Sequence, residues 1–192
     1  MRIGIYCGSF DPVHRGHVRI ARACVRQKLC DEVWVIPTGN YWHKQDLSPV
    51  QERIALWKLY ESDTIKVDST HNEIPYTYEL FRELKKEYPE HEFCLVLGGD
   101  NLVKFDEWKE YQELLNYRFL ILPREPINAK EVRRYMKQFN KENYDLIRLA
   151  NIPISSSYIR SHPDDFEAVK GMVDKKVFDL RTKIRKKRIS GV

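Results

Sequence analysis

Residues 8–17 read Gly8-Ser9-Phe10-Asp11-Pro12-Val13-His14-Arg15-Gly16-His17 and follow directly on an apolar run, Ile3-Gly4-Ile5-Tyr6-Cys7. Gly8 permits a tight turn or a close backbone approach, and Pro12 fixes its own φ. With a helix starting near His14, the two imidazoles share one face of its first turn, and Gly16 leaves that turn bare. The free N–H groups of a helix start already favour anions. Two histidines with only Asp11 as an acidic neighbour suit phosphate better than a metal, which usually needs a third protein ligand. No metal ligand set is therefore expected.

A second anion-binding pattern lies far along the chain, at Ile154-Ser155-Ser156-Ser157-Tyr158-Ile159-Arg160. Three hydroxyls before an apolar and basic turn make a helix N-cap with exposed N–H groups, and Arg160 adds a charge-assisted donor one turn on. Three further stretches carry polar groups or glycines at places where apolar runs end. These are Pro37-Thr38-Gly39-Asn40-Tyr41-Trp42-His43-Lys44, Leu97-Gly98-Gly99-Asp100-Asn101 and Pro123-Arg124-Glu125-Pro126. His43 and Lys44 have the chemistry to hold a second phosphate, with Lys44 as a point charge. Asp100 is placed to accept hydrogen bonds from ribose hydroxyls.

The elements that position these groups alternate. Apolar, β-rich runs at 3–7, 32–36, 64–67, 92–97, 117–122 and 146–149 predict strands. Helical patterns fill 17–29, 49–60, 76–88, 107–115 and 129–139, with Ser48-Pro49 as a start signal and Pro89 as a stop. Such alternation predicts an α/β fold, a Rossmann-like doubly wound parallel sheet with a small helical C-terminal segment over about 155–180. Ligands of such sheets sit at the carboxyl ends of the strands, where all five stretches above fall.

At 192 residues, 42% apolar and 32% charged, the chain makes one domain with a sizeable core, which excludes a disordered or collagenous protein. No apolar run approaches the roughly 18 residues of a membrane span, and no signal peptide is expected at the amino terminus. Cys7, Cys24, Cys30 and Cys94 are scattered, as in a reducing, cytoplasmic compartment. The net charge of +5 is local. Arg181, Lys183, Arg185, Lys186, Lys187 and Arg188 are six of the 33 basic residues, and the other 27 face 28 acidic ones. Residues 181–192 are thus expected to be a basic tail, most simply a solvated helix end, with weak anion or nucleic-acid contact as its functional alternative.

Gly-Ser-Phe-Asp-Pro-Val-His-Arg-Gly-His resembles the signature of the nucleotidyltransferase superfamily that includes nicotinate- and nicotinamide-nucleotide and phosphopantetheine adenylyltransferases and glycerol-phosphate-type cytidylyltransferases. The Ile154–Arg160 segment is similar to its I-S-S-T-x-I-R segment, with Ser157 for Thr. Among these, the chain resembles the bacterial nicotinate mononucleotide adenylyltransferases most. The marks are the loop ending His43-Lys44, the Ser48-Pro49-x-x-x-Arg53 helix start, Pro75-Tyr76-Thr77-Tyr78, Gly98-Gly99-Asp100-Asn101 and Trp108. Tyr41-Trp42 replace the family's usual prolines, and the Arg124 turn has an altered order.

The resemblance implies transfer of AMP from ATP to nicotinate mononucleotide, giving deamido-NAD and pyrophosphate, with Mg²⁺ bound through the ATP phosphates. It implies His14, His17 and Lys44 as catalytic residues. It places ATP against Gly8, Ser9, Phe10, His14, His17, Gly98, Asp100, Ile154, Ser155, Ser156 and Arg160. It places the pyridine mononucleotide against Thr38, His43, Lys44, Tyr76, Thr77, Trp108 and Arg124. Nicotinamide mononucleotide or phosphopantetheine are the alternative acceptors within the superfamily. The alternative of another class is a nucleotide- or nucleic-acid-binding module using the basic run. The sequence does not choose between nicotinate and nicotinamide and gives no oligomeric state.

Overall fold

The computed structural model describes residues 1–40, 47–150 and 153–191. Short runs rich in β-branched and aromatic residues form β1 (Arg2–Gly8), β2 (Glu32–Pro37), β3 (Ile65–Val67), β4 (Glu92–Gly98), β5 (Arg118–Leu122) and β6 (Tyr144–Leu146). All pair in parallel in one sheet of order β3-β2-β1-β4-β5-β6. The direction of winding reverses between β1 and β4, the crevice where such sheets bind ligands. Both strands end there in glycine, Gly8 and Gly98.

Because successive strand residues point to opposite faces, each strand feeds two cores. Tyr6, Val33, Val35, Cys94, Val96 and Leu120 pack on one side. They meet α1 (Arg15–Arg26), α2 (Val50–Lys58), α7 (Phe166–Val169) and α8 (Lys175–Ser190) through Val18, Ala21, Trp57, Val169, Val177 and Phe178. Ile3, Ile5, Phe93, Leu95, Phe119 and Ile121 pack on the other side. There they meet α3 (Thr77–Glu87), α4 (Tyr111–Leu114), α5 (Ala129–Gln138) and a 3₁₀ segment, Gly99–Glu107. The doubly wound architecture is the expected one. Among the described residues, no helix is long and apolar enough to cross a membrane.

Three elements differ from expectation. The helix expected at 107–115 is shortened to α4, preceded by Glu110 at φ 51° and by the 3₁₀ segment, which is kinked at Lys104. Leu102 and Phe105, on either side of that kink, are both fully buried. The strand expected at 146–149 begins earlier, at Tyr144, where Asp145 reaches Arg118 of β5 at 2.6 Å. It stops short because the Gln27 side-chain amide takes the place of a neighbouring strand, accepting from Arg148 N–H at 2.9 Å and donating to its carbonyl at 2.8 Å.

The third difference is the basic run. Residues 181–190 are the second half of α8, not a free tail. Its arginines turn toward the body: Arg185 pairs with Asp164, Arg188 with Glu52 at 3.3 Å, and half-buried Arg181 reaches the Ile159 carbonyl at 3.5 Å. The helix is anchored at its start as well. Asp174 accepts from Tyr60 Oη at 2.6 Å and from Arg15 Nε at 2.7 Å. Burial alone raises a carboxyl, but these two donors hold Asp174 below the usual carboxylate range.

Ending the chain after Asp179 should therefore lower Tm by roughly 3–10 °C, the sum of weak, partly exposed ion pairs and half-buried apolar contact. Thermal denaturation of the shortened and full chains checks this, and coincident curves would return residues 180–190 to the status of a tail.

Candidate active site

The turn after β1 is built around a residue in the left-handed region. Phe10 has φ 48° and presents its ring edge-on to Tyr6, His17 and Trp57, with centroids 5.1, 4.9 and 5.2 Å away. A bulky residue adopts this backbone only where packing over-determines it. The ring so held also fixes the residue before it. A Cβ at Gly8 would lie 2.8 Å from the Phe10 ring.

His14 and His17 open α1 by capping one another. His17 N–H donates to His14 Nδ1 at 3.4 Å, and His14 N–H donates to His17 Nδ1 at 3.3 Å. The rings stack, with centroids 3.6 Å apart and planes 16° from parallel. A backbone amide only donates, so each Nδ1 is an acceptor and each proton sits on Nε2. The pair thus offers two Nε2–H donors beside the free N–H groups of a helix start. Neither carries a charge at neutral pH: desolvation lowers His14 to about 4, and desolvation with the neighbouring His14 and Arg124 holds His17 well below its usual value.

The second anion-binding segment lands on this turn from 140 residues away. α6 (Ser156–Ser161) is capped by Ser155, whose Oγ accepts from Tyr158 N–H at 3.4 Å. Ser156 Oγ donates to the Pro12 carbonyl at 3.1 Å, and Arg160 Nη1 donates to the Asp11 carbonyl at 2.6 Å. Arg160 Nη2 donates to Ser157 Oγ at 3.1 Å. Arg160 therefore locks the two segments together as well as supplying charge.

Three cavities adjoin across the crevice. One of about 400 Å³ is lined by Gly8, Ser9, Phe10, His17, Gly98, Asp100, Arg124, Ser156 and Arg160. Asp100 and Arg124 pair across its rim at 3.3 Å. A second, of about 350 Å³, shares His17 and Arg124 and adds His14, Gly16, Ile154 and Ser155. The third, of about 270 Å³, lies on the other side of Gly8 and is walled by Thr38, Gly39, Pro75, Thr77, Asn101 and Trp108. Trp108 rests tilted on Phe105, 5.2 Å between centroids. The Thr38 hydroxyl is buried without a hydrogen-bond partner among the described residues.

The expected ATP residues thus gather around the first two cavities. Thr38, Thr77 and Trp108 gather at the third. Arg124, expected beside the acceptor, lines the first two cavities and not the third. Tyr76 precedes α3 with its ring under Lys109 Nζ at 4.2 Å, next to the third cavity's wall and not on it. His43 and Lys44, with Tyr41 and Trp42, lie outside the described residues. Sequence reasoning gave no role to Arg53, which is 0% exposed behind the loops that follow β1 and β2. It donates to Ser9 O at 2.6 Å, Thr38 O at 2.7 Å, Asn40 Oδ1 at 2.8 Å and Ser48 O at 2.9 Å. Its one sequence signal was position, five residues after Ser48 in the helix start.

The cytidylyltransferase-like family model matches residues 5–162. A probable nicotinate-nucleotide adenylyltransferase of Fusobacterium nucleatum is 30% identical, covering 94% of this chain and 96% of its own. One of Flavobacterium psychrophilum is 29% identical, covering 93% and 94%. The solved structure of Plasmodium falciparum nicotinic acid mononucleotide adenylyltransferase complexed with NaAD superposes with a TM-score of 0.79 at 25% identity, over 95% of each chain.

The lowered histidines have a consequence for stability. Unfolding returns His14 from about 4 to its ordinary 6.5, so between those values the unfolded chain binds more protons and stability falls as pH is lowered. Tm should decline from pH 6.5 toward 4.5, and less steeply in His14→Asn, which keeps a side-chain acceptor for the cap. Equal slopes in the two proteins would take the buried imidazole out of the account.

Proposed function

The chain belongs to the cytidylyltransferase-like family, and we propose that it transfers AMP from ATP to nicotinate mononucleotide, releasing pyrophosphate and forming deamido-NAD. The observation that carries this reading is the reciprocally capped His14–His17 pair beside a polar cavity that adjoins, across Gly8, an aromatic-walled one. Its curated relatives carry the same activity in their names.

The acceptor's phosphate oxygen is already anionic near neutral pH, so it attacks the α-phosphorus without a general base. The bond to the bridging oxygen breaks, and the electrons leave on pyrophosphate. Catalysis is then positioning together with stabilisation of charge on the phosphate oxygens. The Nε2–H groups of His14 and His17 donate to the α- and β-phosphates. Ser155, Ser156 and Arg160 hold the β/γ end, with Arg124 across the crevice. Gly8, Ser9, Phe10, Gly98, Asp100 and Ile154 shape the nucleotide cavities. Thr38, Thr77 and Trp108 receive the pyridine nucleotide, with Tyr76 supporting their wall and His43 and Lys44 supplying positive charge for its phosphate.

Among the described residues, no three His, Cys, Asp or Glu side chains gather to hold a metal, and the first cavity mixes hydroxyls and guanidinium groups with the single carboxylates of Asp11 and Asp100. Mg²⁺ entering with ATP would be held through the triphosphate oxygens and would neutralise phosphate charge.

Pyrophosphate release from ATP, measured with nicotinate and then nicotinamide mononucleotide, tests the reading; no release with either would refute it. His17→Ala should lower kcat on the order of 10²–10³-fold, because its donor matters most as charge builds on the transferred phosphate. A rate near that of the wild type would take His17 out of the chemistry.

Trp108→Ala should raise the acceptor KM by roughly 2–12-fold, the value of ~0.5–1.5 kcal/mol for a lost aromatic stack, and leave the ATP KM unchanged. A Tm lowered by the ~3–5 kcal/mol of a core truncation, with an unaltered acceptor KM, would make Trp108 a packing residue only.

A further inference from the structure

After β3 the chain runs Asp68-Ser69-Thr70-His71-Asn72, a composition that folds back on its own first carboxylate. Asp68 Oδ1 accepts from the N–H groups of Thr70 and His71, both at 2.8 Å. Its other oxygen meets His71 Nδ1 at 2.7 Å. The opposite ring nitrogen, Nε2, meets Glu87 Oε2 at 3.2 Å, at the far end of α3. His71 is only 7% exposed, so an imidazole with both nitrogens engaged joins a loop to a helix inside the fold. None of these three residues lines a substrate cavity.

The next residue is where this matters. Asn72 is buried and grips the end of β2 twice: its Nδ2 donates to Pro37 O at 2.7 Å, and its carbonyl accepts from Gly39 N–H at 2.9 Å. Between those two backbone groups stands Thr38, which with Gly39 lines the Trp108 cavity. Arg53 holds Thr38 from the other side through its carbonyl. The Thr38 N–H itself donates to Gly8 O at 2.9 Å, so three contacts set Thr38 and its flanks, and the Asn72 one hangs on His71.

Taking the Trp108 cavity as the acceptor site, as proposed above, we infer that His71 is a positioning residue for acceptor binding. By joining Asp68 to Glu87 it fixes residues 68–72, so that Asn72 sets Thr38 and Gly39 against the pyridine nucleotide. Loosening this clamp displaces the acceptor's wall and leaves the nucleotide side, held by Arg160 and Ser156, in place. Binding is weakened alike in ground and transition states, which raises KM without changing kcat.

The test is steady-state pyrophosphate release by His71→Ala and Glu87→Gln in the full-length protein. His71→Ala should raise the KM for nicotinate mononucleotide about tenfold, and Glu87→Gln about threefold, with the ATP KM and kcat within about twofold of wild type. An acceptor KM within about twofold of wild type in both variants overturns the inference. So does an equal rise in both Michaelis constants, which a general loosening of the fold would give. Should His71→Ala fail to fold, Glu87→Gln decides alone, since its side chain is 42% exposed. A wild-type protein inactive with nicotinate mononucleotide removes the reaction and the inference together. An active wild type whose variants keep its acceptor KM removes only the role of His71.

Discussion

A parallel sheet delivers several loops to one edge, and each arrives with backbone carbonyls that no strand is left to satisfy. Here one guanidinium answers for the loops after β1 and β2 and for the start of α2. Arg53 reaches Ser9, Thr38, Asn40 and Ser48 with its three nitrogens while fully buried. Asp11, only 2% exposed, closes the arrangement by accepting from Ser48 N–H at 2.9 Å. Lysine would bring the same charge but not the planar fork that satisfies several oxygens at fixed angles. Both sides of the crevice inherit their shape from this contact. Ser9 leads into the histidine turn and Thr38 into the Trp108 cavity, so the spacing between these two follows from the span of one guanidinium.

The histidines show a related economy of charge. A buried cation beside Arg124 and Arg160 would be costly to desolvate, and the reciprocal cap avoids it by committing each Nδ1 to a backbone amide. What remains is a pair of neutral donors already oriented, which need no reorganisation when phosphate charge develops. The formal charge is set at the rim instead, on Arg160, hydrogen-bonded to the Asp11 carbonyl, and on Arg124, ion-paired with Asp100. Donor geometry and net charge are thus supplied by different residues.

Much of this was legible in the sequence because it follows from local spacing. The β/α alternation, the strand ends and the two anion segments are set by apolar periodicity and by residue types within a few positions of one another. What was not legible depends on partners distant in the chain. Arg53 stands next to Ile54, Leu56 and Trp57 in a helix whose apolar pattern does not say that a cation goes inward. The run at 181–188 looks like a solvated tail until Asp164 and Glu52 are brought to it by folding. The last strand was misplaced because apolar residues 146–149 look like its core. The pairing that starts it involves charged partners, Asp145 and Arg118, and a glutamine side chain ends it.

The placement of the cavities constrains the direction of the reaction. The nucleotide cavity beside His17 and the Trp108 cavity share Cys7, Gly8, Val96, Leu97 and Asn101, the ends of β1 and β4 and the turn that follows. In the proposed reaction, a phosphorus above Gly8 would have the acceptor on one side, with His14, Ser155 and Arg160 on the other beside the departing pyrophosphate. This is the opposed arrangement an in-line displacement requires. A side chain at residue 8 would intrude on it and on the Phe10 ring 2.8 Å away. The glycine at the end of β1 is thus where the fold's reversal of winding and the geometry of phosphoryl transfer meet.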